Sequence, residues 1–165
     1  KEIKDTPKKV LRTLLMYNRC YTRTQNSSCF VAEDENGRVV GYILCAESLP
    51  KYLKGFFGTE LQEIFKISFT SGIASFFEAV SPAAFSVKYP AHLHIDILPE
   101  YQGQKVGTAL MSAIKEKLVS DNINGVMLCV GKCNVRAIEF YKKNGFKVIF
   151  CLFGAVFMGL NLPHS

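Results

Sequence analysis

His92, His94 and Asp96 stand at alternate positions in an otherwise apolar stretch, Ala91 to Leu98. Residues two apart on an extended strand share a face. The three polar groups would thus line one surface, with Leu93, Ile95 and Ile97 on the other. A His-x-His-x-Asp row can relay protons or ligate a metal, but a closed metal site asks for a fourth ligand and none is evident. No metal is therefore expected. Asp96 is the best-placed carboxylate for a general base. Glu47, at the end of an earlier strand, is a second carboxylate that could reach the same cleft. The structural alternative, a row that satisfies neighbours beneath a helical segment, stays open beside it.

Directly after this strand the chain reads Leu98-Pro99-Glu100-Tyr101-Gln102-Gly103-Gln104-Lys105-Val106-Gly107 and enters an amphipathic pattern. A glycine-bearing turn between strand and helix can aim several backbone N–H groups at one point, and the helix adds the positive end of its dipole. The stretch from Gln102 to Gly107 is thus a candidate seat for a phosphate or pyrophosphate. Further on, Asn134 opens a segment that runs through Tyr141 to Gly145 and Phe146. Asn134 serves equally as a helix cap, and Tyr141 on an apolar helix face serves equally as core with its hydroxyl satisfied.

These residues need elements to position them. Thr6 and Pro7 mark a helix start, and Val10, Leu11, Leu14, Leu15 and Asn18 follow at helical spacing. Thr22 to Ser28 reads as a loop and Cys29 to Ala32 as a strand. Asn36-Gly37 reads as a two-residue hairpin turn, with Val39 to Ala46 returning. Residues 50–80 are mostly helical in pattern, and Ala91 to Leu98 is the central strand. Val106, Ala109, Leu110, Ala113, Ile114 and Leu118 form one helix face. Gly125 to Val130 is a buried strand. Asn134 caps a helix whose inward positions are Ala137, Ile138 and Tyr141, and Asn144-Gly145 ends it in a left-handed stop with Phe146 folding back. Phe146 to Phe153 and Ala155 to Leu162 close as two strands about Gly154. The order predicts an α/β fold: a mixed, largely antiparallel sheet flanked by helices, with a helical insert before the central strand.

At 165 residues and 48% hydrophobic, the chain has material for one globular domain spanning 1–165. No apolar run reaches the roughly 18 residues of a membrane span. The six cysteines form no Cys-x-x-Cys pair, and four sit in strand-like runs, which suits reduced thiols in an intracellular protein, cytoplasmic or nuclear. Net charge is +6, with the basic excess at the two ends of the chain. Those ends would suit acidic or anionic partners or form a solvated surface. Nucleic acid is not expected as a partner.

The loop and the Asn134-to-Phe146 segment together resemble motifs of the GCN5-related N-acetyltransferase (GNAT) superfamily. In that family the loop is commonly Arg/Gln-x-x-Gly-x-Gly/Ala after a Pro-x-Tyr lead-in. Pro99 and Tyr101 fix the register at Gln102 to Gly107, so that Lys105 stands where the family has its first glycine. The resemblance implies acetyl-CoA as cofactor. It implies that Ile97 and Leu98 pair with the pantetheine arm. Gln102, Gly103, Gln104, Lys105, Val106 and Gly107 would hold the pyrophosphate, Asn134 would approach the cofactor, and Tyr141 would protonate the leaving thiolate. Lys105 weighs against tight binding, because a side chain can crowd the diphosphate. The family usually opens with a strand that this sequence does not reveal.

A narrower resemblance covers roughly Cys29 to Leu162. Cys29 to Tyr42, the aromatic helical insert and Tyr89 to Pro99 look like the acetyltransferase-like domain at the C-terminus of animal O-GlcNAcases and its free-standing bacterial relatives. With a start at Lys1 and no initiator Met, this implies a domain excised from a longer protein, whose parent removes O-linked N-acetylglucosamine from proteins. That hydrolysis needs paired acids at an open barrel mouth. The acid cluster here, Glu33-Asp34-Glu35, sits beside a hairpin turn and reads as solvated. The balance falls toward a non-catalytic pseudo-acetyltransferase without bound cofactor, which serves partner binding or a homodimer through its apolar C-terminal strands. An active N-acetyltransferase on an amine or lysine is the alternative.

Overall fold

The structure, a computed structural model, describes residues 6–24 and 26–163. Among these residues six strands form one sheet in the order β1-β2-β3-β4-β6-β5. They are β1 (Cys29–Glu33), β2 (Val39–Ala46), β3 (Ala91–Ile97), β4 (Gly125–Gly131), β5 (Lys147–Leu152) and β6 (Ala155–Asn161). All neighbours are antiparallel except β3 and β4. Among the described residues seven α-helical segments flank the sheet: α1 (Pro7–Leu14), α2 (Cys20–Thr24), α3 (Leu49–Gly55), α4 (Leu61–Ile67), α5 (Phe69–Val80), α6 (Val106–Ser120) and α7 (Val135–Lys143). This is the α/β architecture the sequence predicts, with α3 to α5 as the insert before β3. Residues 1–5 lie outside the described residues.

The alternation along the strands sorts two cores. Ile43, Cys45, Leu93, Val126 and Leu128 pack with Ile114 and Leu118 of α6. Leu44, Ala46 and Met127, on the opposite face, pack with Leu15, Tyr21, Leu49 and Tyr52 from the other helices. The sheet is therefore buried on both sides, as a parallel central pair requires.

The central pair is short. β3 meets β4 only at Ala91↔Val126 and His92↔Met127. β2 stays in register with β3 from Ala46↔His92 to Gly41↔Ile97, and β4 stays with β6 along its whole length. The sheet thus divides into two halves that part beyond His92.

Three local expectations are corrected. The hairpin after β1 is not a two-residue turn, because Gly37 has φ +75 but Asn36 is not left-handed. Asp34 closes it instead, accepting N–H bonds from Asn36 (2.9 Å) and Arg38 (3.0 Å), and the register shifts at Ala32/Glu33. Helical structure also continues through Thr24, where a loop was expected from Thr22. A π-helical turn, Leu15–Arg19, joins α1 to α2. This wide turn changes which face points inward, so Leu15, Met16 and Tyr21 are buried whereas Val10, Leu11 and Leu14 are 44–50% exposed. In α6, Ala109 lies on the exposed side and Met111 takes an inward place.

Among the described residues no helix is long and apolar enough to cross a membrane. The ring of Tyr89 lies against the Cβ-free positions Gly125 and Gly159. A Cβ at Gly125 would sit 2.5 Å from the Lys88 carbonyl oxygen, and that backbone atom cannot swing aside. Gly125→Ala is expected to lower the free energy of unfolding by about 1–3 kcal/mol. Denaturant titration checks this, and unchanged stability would contradict the tight approach.

Candidate active site

Between β3 and α6 the chain makes a short 3-10 turn, Pro99–Tyr101, and then the loop. Two contacts brace it from the β1–β2 hairpin. The Tyr101 hydroxyl donates to Asp34 Oδ2 at 2.7 Å, and Arg38 lies 3.3 Å from Glu100. The Tyr101 hydrogen bond, then the Arg38 N–H, hold the Asp34 carboxyl below its usual range. Asp34 is therefore not simply solvated, as its place beside a turn suggested. Gln102 spends its side-chain amide on the Ile97 carbonyl (3.0 Å) and Gln104 on that of Glu100 (2.7 Å).

Gly103 has φ +85 and Lys105 φ +68, with Lys105 at the cap of α6. Lys105 thus holds a left-handed backbone that glycine adopts without strain. Gly107 is needed for a different reason. A Cβ there would lie 2.8 Å from Ile97 Cδ1 and 3.1 Å from the Phe140 ring. Among the described residues, no backbone hydrogen bond in this region uses the N–H groups of residues 103–108. They are available to an anion, beside the N-terminus of a fifteen-residue helix.

A groove of about 350 Å³ runs between this loop, β3 and α7. Of the predicted cofactor residues, Ile97, Gln102, Gly103, Lys105, Gly107, Asn134 and Tyr141 line it; Leu98, Gln104 and Val106 do not. Leu98 instead donates its N–H to the Val40 carbonyl at 2.9 Å, and Val106 packs on the α6 core. Sequence reasoning missed Arg136, a second cation on the groove wall. Its position in the first turn of α7, two residues past the Asn134 cap, was the available signal. A pyrophosphate-bearing cofactor fits these residues, since unspent N–H groups and two cations face one groove. Asn134 also caps α7, its Oδ1 accepting from the Ala137 N–H at 3.2 Å, so the two readings of this residue coexist.

A second cavity of about 520 Å³ lies on the helical-insert side of β3. Ile95, Asp96, Asn134 and Tyr141 border both spaces. Asp96 sits directly across from Tyr42 in the β2–β3 register and accepts the Tyr42 hydroxyl at 3.0 Å. Burial, with the Asp96 charge adding, pushes both Tyr42 and Tyr141 up to about 12. His92 and His94 line the inner cavity wall. The Tyr21 hydroxyl lies 2.5 Å from His92 Nε2, and His92 Nδ1 is buried with no partner among the described residues. Burial lowers His92 to about 3, the neighbouring His94 adding, and lowers His94 to about 4.

Glu47 does not join them. Its carboxylate accepts from Ser27 and Ser28 and lines neither space. Tyr17, Tyr21 and Tyr52 reach the cavity from the N-terminal helices and α3 and were not anticipated. Among the described residues no group of three His, Cys, Asp or Glu side chains could hold a metal. Among the described residues none of the six cysteines is in a disulfide.

The model of the acetyltransferase (GNAT) family matches residues 2–146. The chain belongs to this family of acetyltransferases. Its fold recurs in SsHAT, with a TM-score of 0.79 at 23% identity over 91% of this chain and 80% of that one. A phosphinothricin acetyltransferase from Sinorhizobium meliloti, solved in complex with acetyl-CoA, matches at TM-score 0.55 and 15% identity over 86% of this chain and 65% of its own. Naa20 from Chaetomium thermophilum, solved with a bisubstrate analogue, matches at 0.56 and 22% over 86% and 70%. At these identities the likeness is one of fold.

Two measurements probe this local chemistry. Lys105→Gly should stabilise the protein by about 1 kcal/mol, by relieving a left-handed non-glycine residue; a loss on denaturant titration would contradict that. The two imidazoles stay neutral in the fold, while an unfolded chain protonates them near the ordinary 6.5. The unfolded state therefore binds more protons below that pH. Stability should fall as pH drops from about 6.5 toward 4, and less steeply in His94→Gln. An equal slope in the variant would exclude His94 as a contributor.

Proposed function

We propose that this chain transfers an acetyl group from acetyl-CoA to an amine. The observation that carries the reading is the junction at Asp96, Asn134 and Tyr141, where a groove fit for a diphosphate-bearing cofactor meets a separate cavity fit for an acceptor. Bound acetyl-CoA would supply an activated acetyl thioester. The N–H groups of residues 103–108, with Lys105 and Arg136, bind the diphosphate. The β3 edge beyond His92 offers backbone partners to an extended arm.

Asp96 takes the proton that an incoming ammonium must lose, and the Tyr42 hydroxyl orients its carboxylate. Tyr141 stays protonated at physiological pH because its pKa is about 12. It holds a proton for the leaving sulfur. With the thioester bound, the N–C bond would form and the C–S bond break: the ammonium's first proton goes to Asp96, Tyr141 gives its proton to the leaving sulfur, and the second nitrogen proton, shed as the amide forms, restores the Tyr141 hydroxyl.

Lys105 favours a second reading, in which the loop has lost its cofactor. The chain would then be the non-catalytic C-terminal domain of an O-GlcNAcase. The edge strand β5, with Val148, Phe150 and Leu152 exposed, suits self-association in that case.

Calorimetry with acetyl-CoA separates the two. The proposal expects one site of micromolar affinity, and Tyr141→Phe is expected to lower kcat about 100-fold with little change in that affinity. No binding heat and no thiol release with any amine would favour the second reading.

A further inference from the structure

We infer that the acceptor is a small primary amine with an apolar or aromatic body and no acidic group. This rests on the acetyltransferase reading and names its substrate class. Besides Tyr141, four tyrosines, Tyr17, Tyr21, Tyr42 and Tyr52, line the cavity. Tyr17 meets the His94 ring edge-on at 4.8 Å, and Tyr52 meets His92 at 4.6 Å, so the polar row on β3 is embedded in aromatic surface. Such rings attract an ammonium and cover an apolar body.

The charges agree. Although the chain carries +6 overall, among the described residues no Lys or Arg lines this cavity, and the formally charged side chains that do are Asp96 and Glu78. The nearby Arg12 is engaged, its Nη2 on Glu78 at 2.7 Å and its Nε on Ser75 at 3.0 Å. The cations that could hold an anion, Lys105 and Arg136, stand in the cofactor groove instead. The two imidazoles stay neutral at physiological pH. A carboxylate on the acceptor would meet like charge and no counter-charge, a penalty that discriminates against amino acids.

Depth argues for a small molecule over the lysine of a protein. The reacting amine belongs at Asp96, which is exposed, and Tyr141. Tyr21, Tyr52 and His92, all buried, form the inner wall. An acceptor that fills the space has its body inside, beyond its amine. A lysine on another protein carries its chain behind its Nζ and leaves the inner wall uncovered.

The test titrates the protein alone, without CoA, by calorimetry. The probes are phenethylamine, phenylalanine and a short lysine peptide. Phenethylamine is expected to bind about tenfold more tightly than either of the others, and Asp96→Asn to weaken it about tenfold. Tyr17→Ala should weaken it as well, with circular dichroism to confirm folding. Equal or tighter binding of phenylalanine or of the peptide overturns the inference, as does the lack of any heat with phenethylamine. Because no CoA is present, failure of the acetyl-CoA titration leaves this result readable, and the reverse also holds.

Discussion

The parting of β3 from β4 is the constraint on which the site depends. After two paired positions the strands separate, and β3 beyond His92 has a hydrogen-bonded neighbour only in β2. On its other side Gln102 covers the Ile97 carbonyl, and the remaining backbone groups must be met by solvent or by a ligand. The same divergence opens the groove on one side of β3 and the cavity on the other. It also places Asp96 and Tyr141 where the two spaces touch. Were β3 and β4 paired to their ends, the loop before α6 would still exist, but nothing would connect it to an acceptor.

The two faces of the sheet are packed by elements from different parts of the chain. α6 and α7 pack one face, whereas the N-terminal helices and the insert pack the other. Gly107 lets β3 and the Phe140 ring of α7 approach behind the loop. The β1–β2 hairpin holds the loop's lead-in through Asp34 and Tyr101. Loop geometry is thus set by contacts distant in sequence as well as by its own glycines.

This explains which parts were legible in the sequence. β2 was placed correctly because its apolar run is bounded by a turn signal and by Glu47 and Ser48. The α7 stop at Gly145 was legible because a left-handed glycine followed by an inward Phe146 is a local signal; the Phe146 N–H indeed bonds back to the Tyr141 carbonyl at 3.0 Å. The hairpin turn was misread because Asn36-Gly37 carries the signal for a tight turn, whereas the side chain of Asp34 fixed a wider one. Which residues of α1 are exposed was not legible, because a π turn leaves no mark in apolar spacing. In the site, the strand row and the loop were visible, since each lies within one segment. The tyrosines from the helices, the role of Arg136 and the withdrawal of Glu47 to Ser27 and Ser28 were not, because tertiary contacts decide them.

Amide hydrogen exchange with and without acetyl-CoA tests the central claim most directly. If the parted strand and the loop together seat the cofactor, amides within residues 93–97 and 103–108 gain protection while the β4–β6 ladder stays unchanged. Unaltered exchange in both segments at saturating acetyl-CoA would contradict the account.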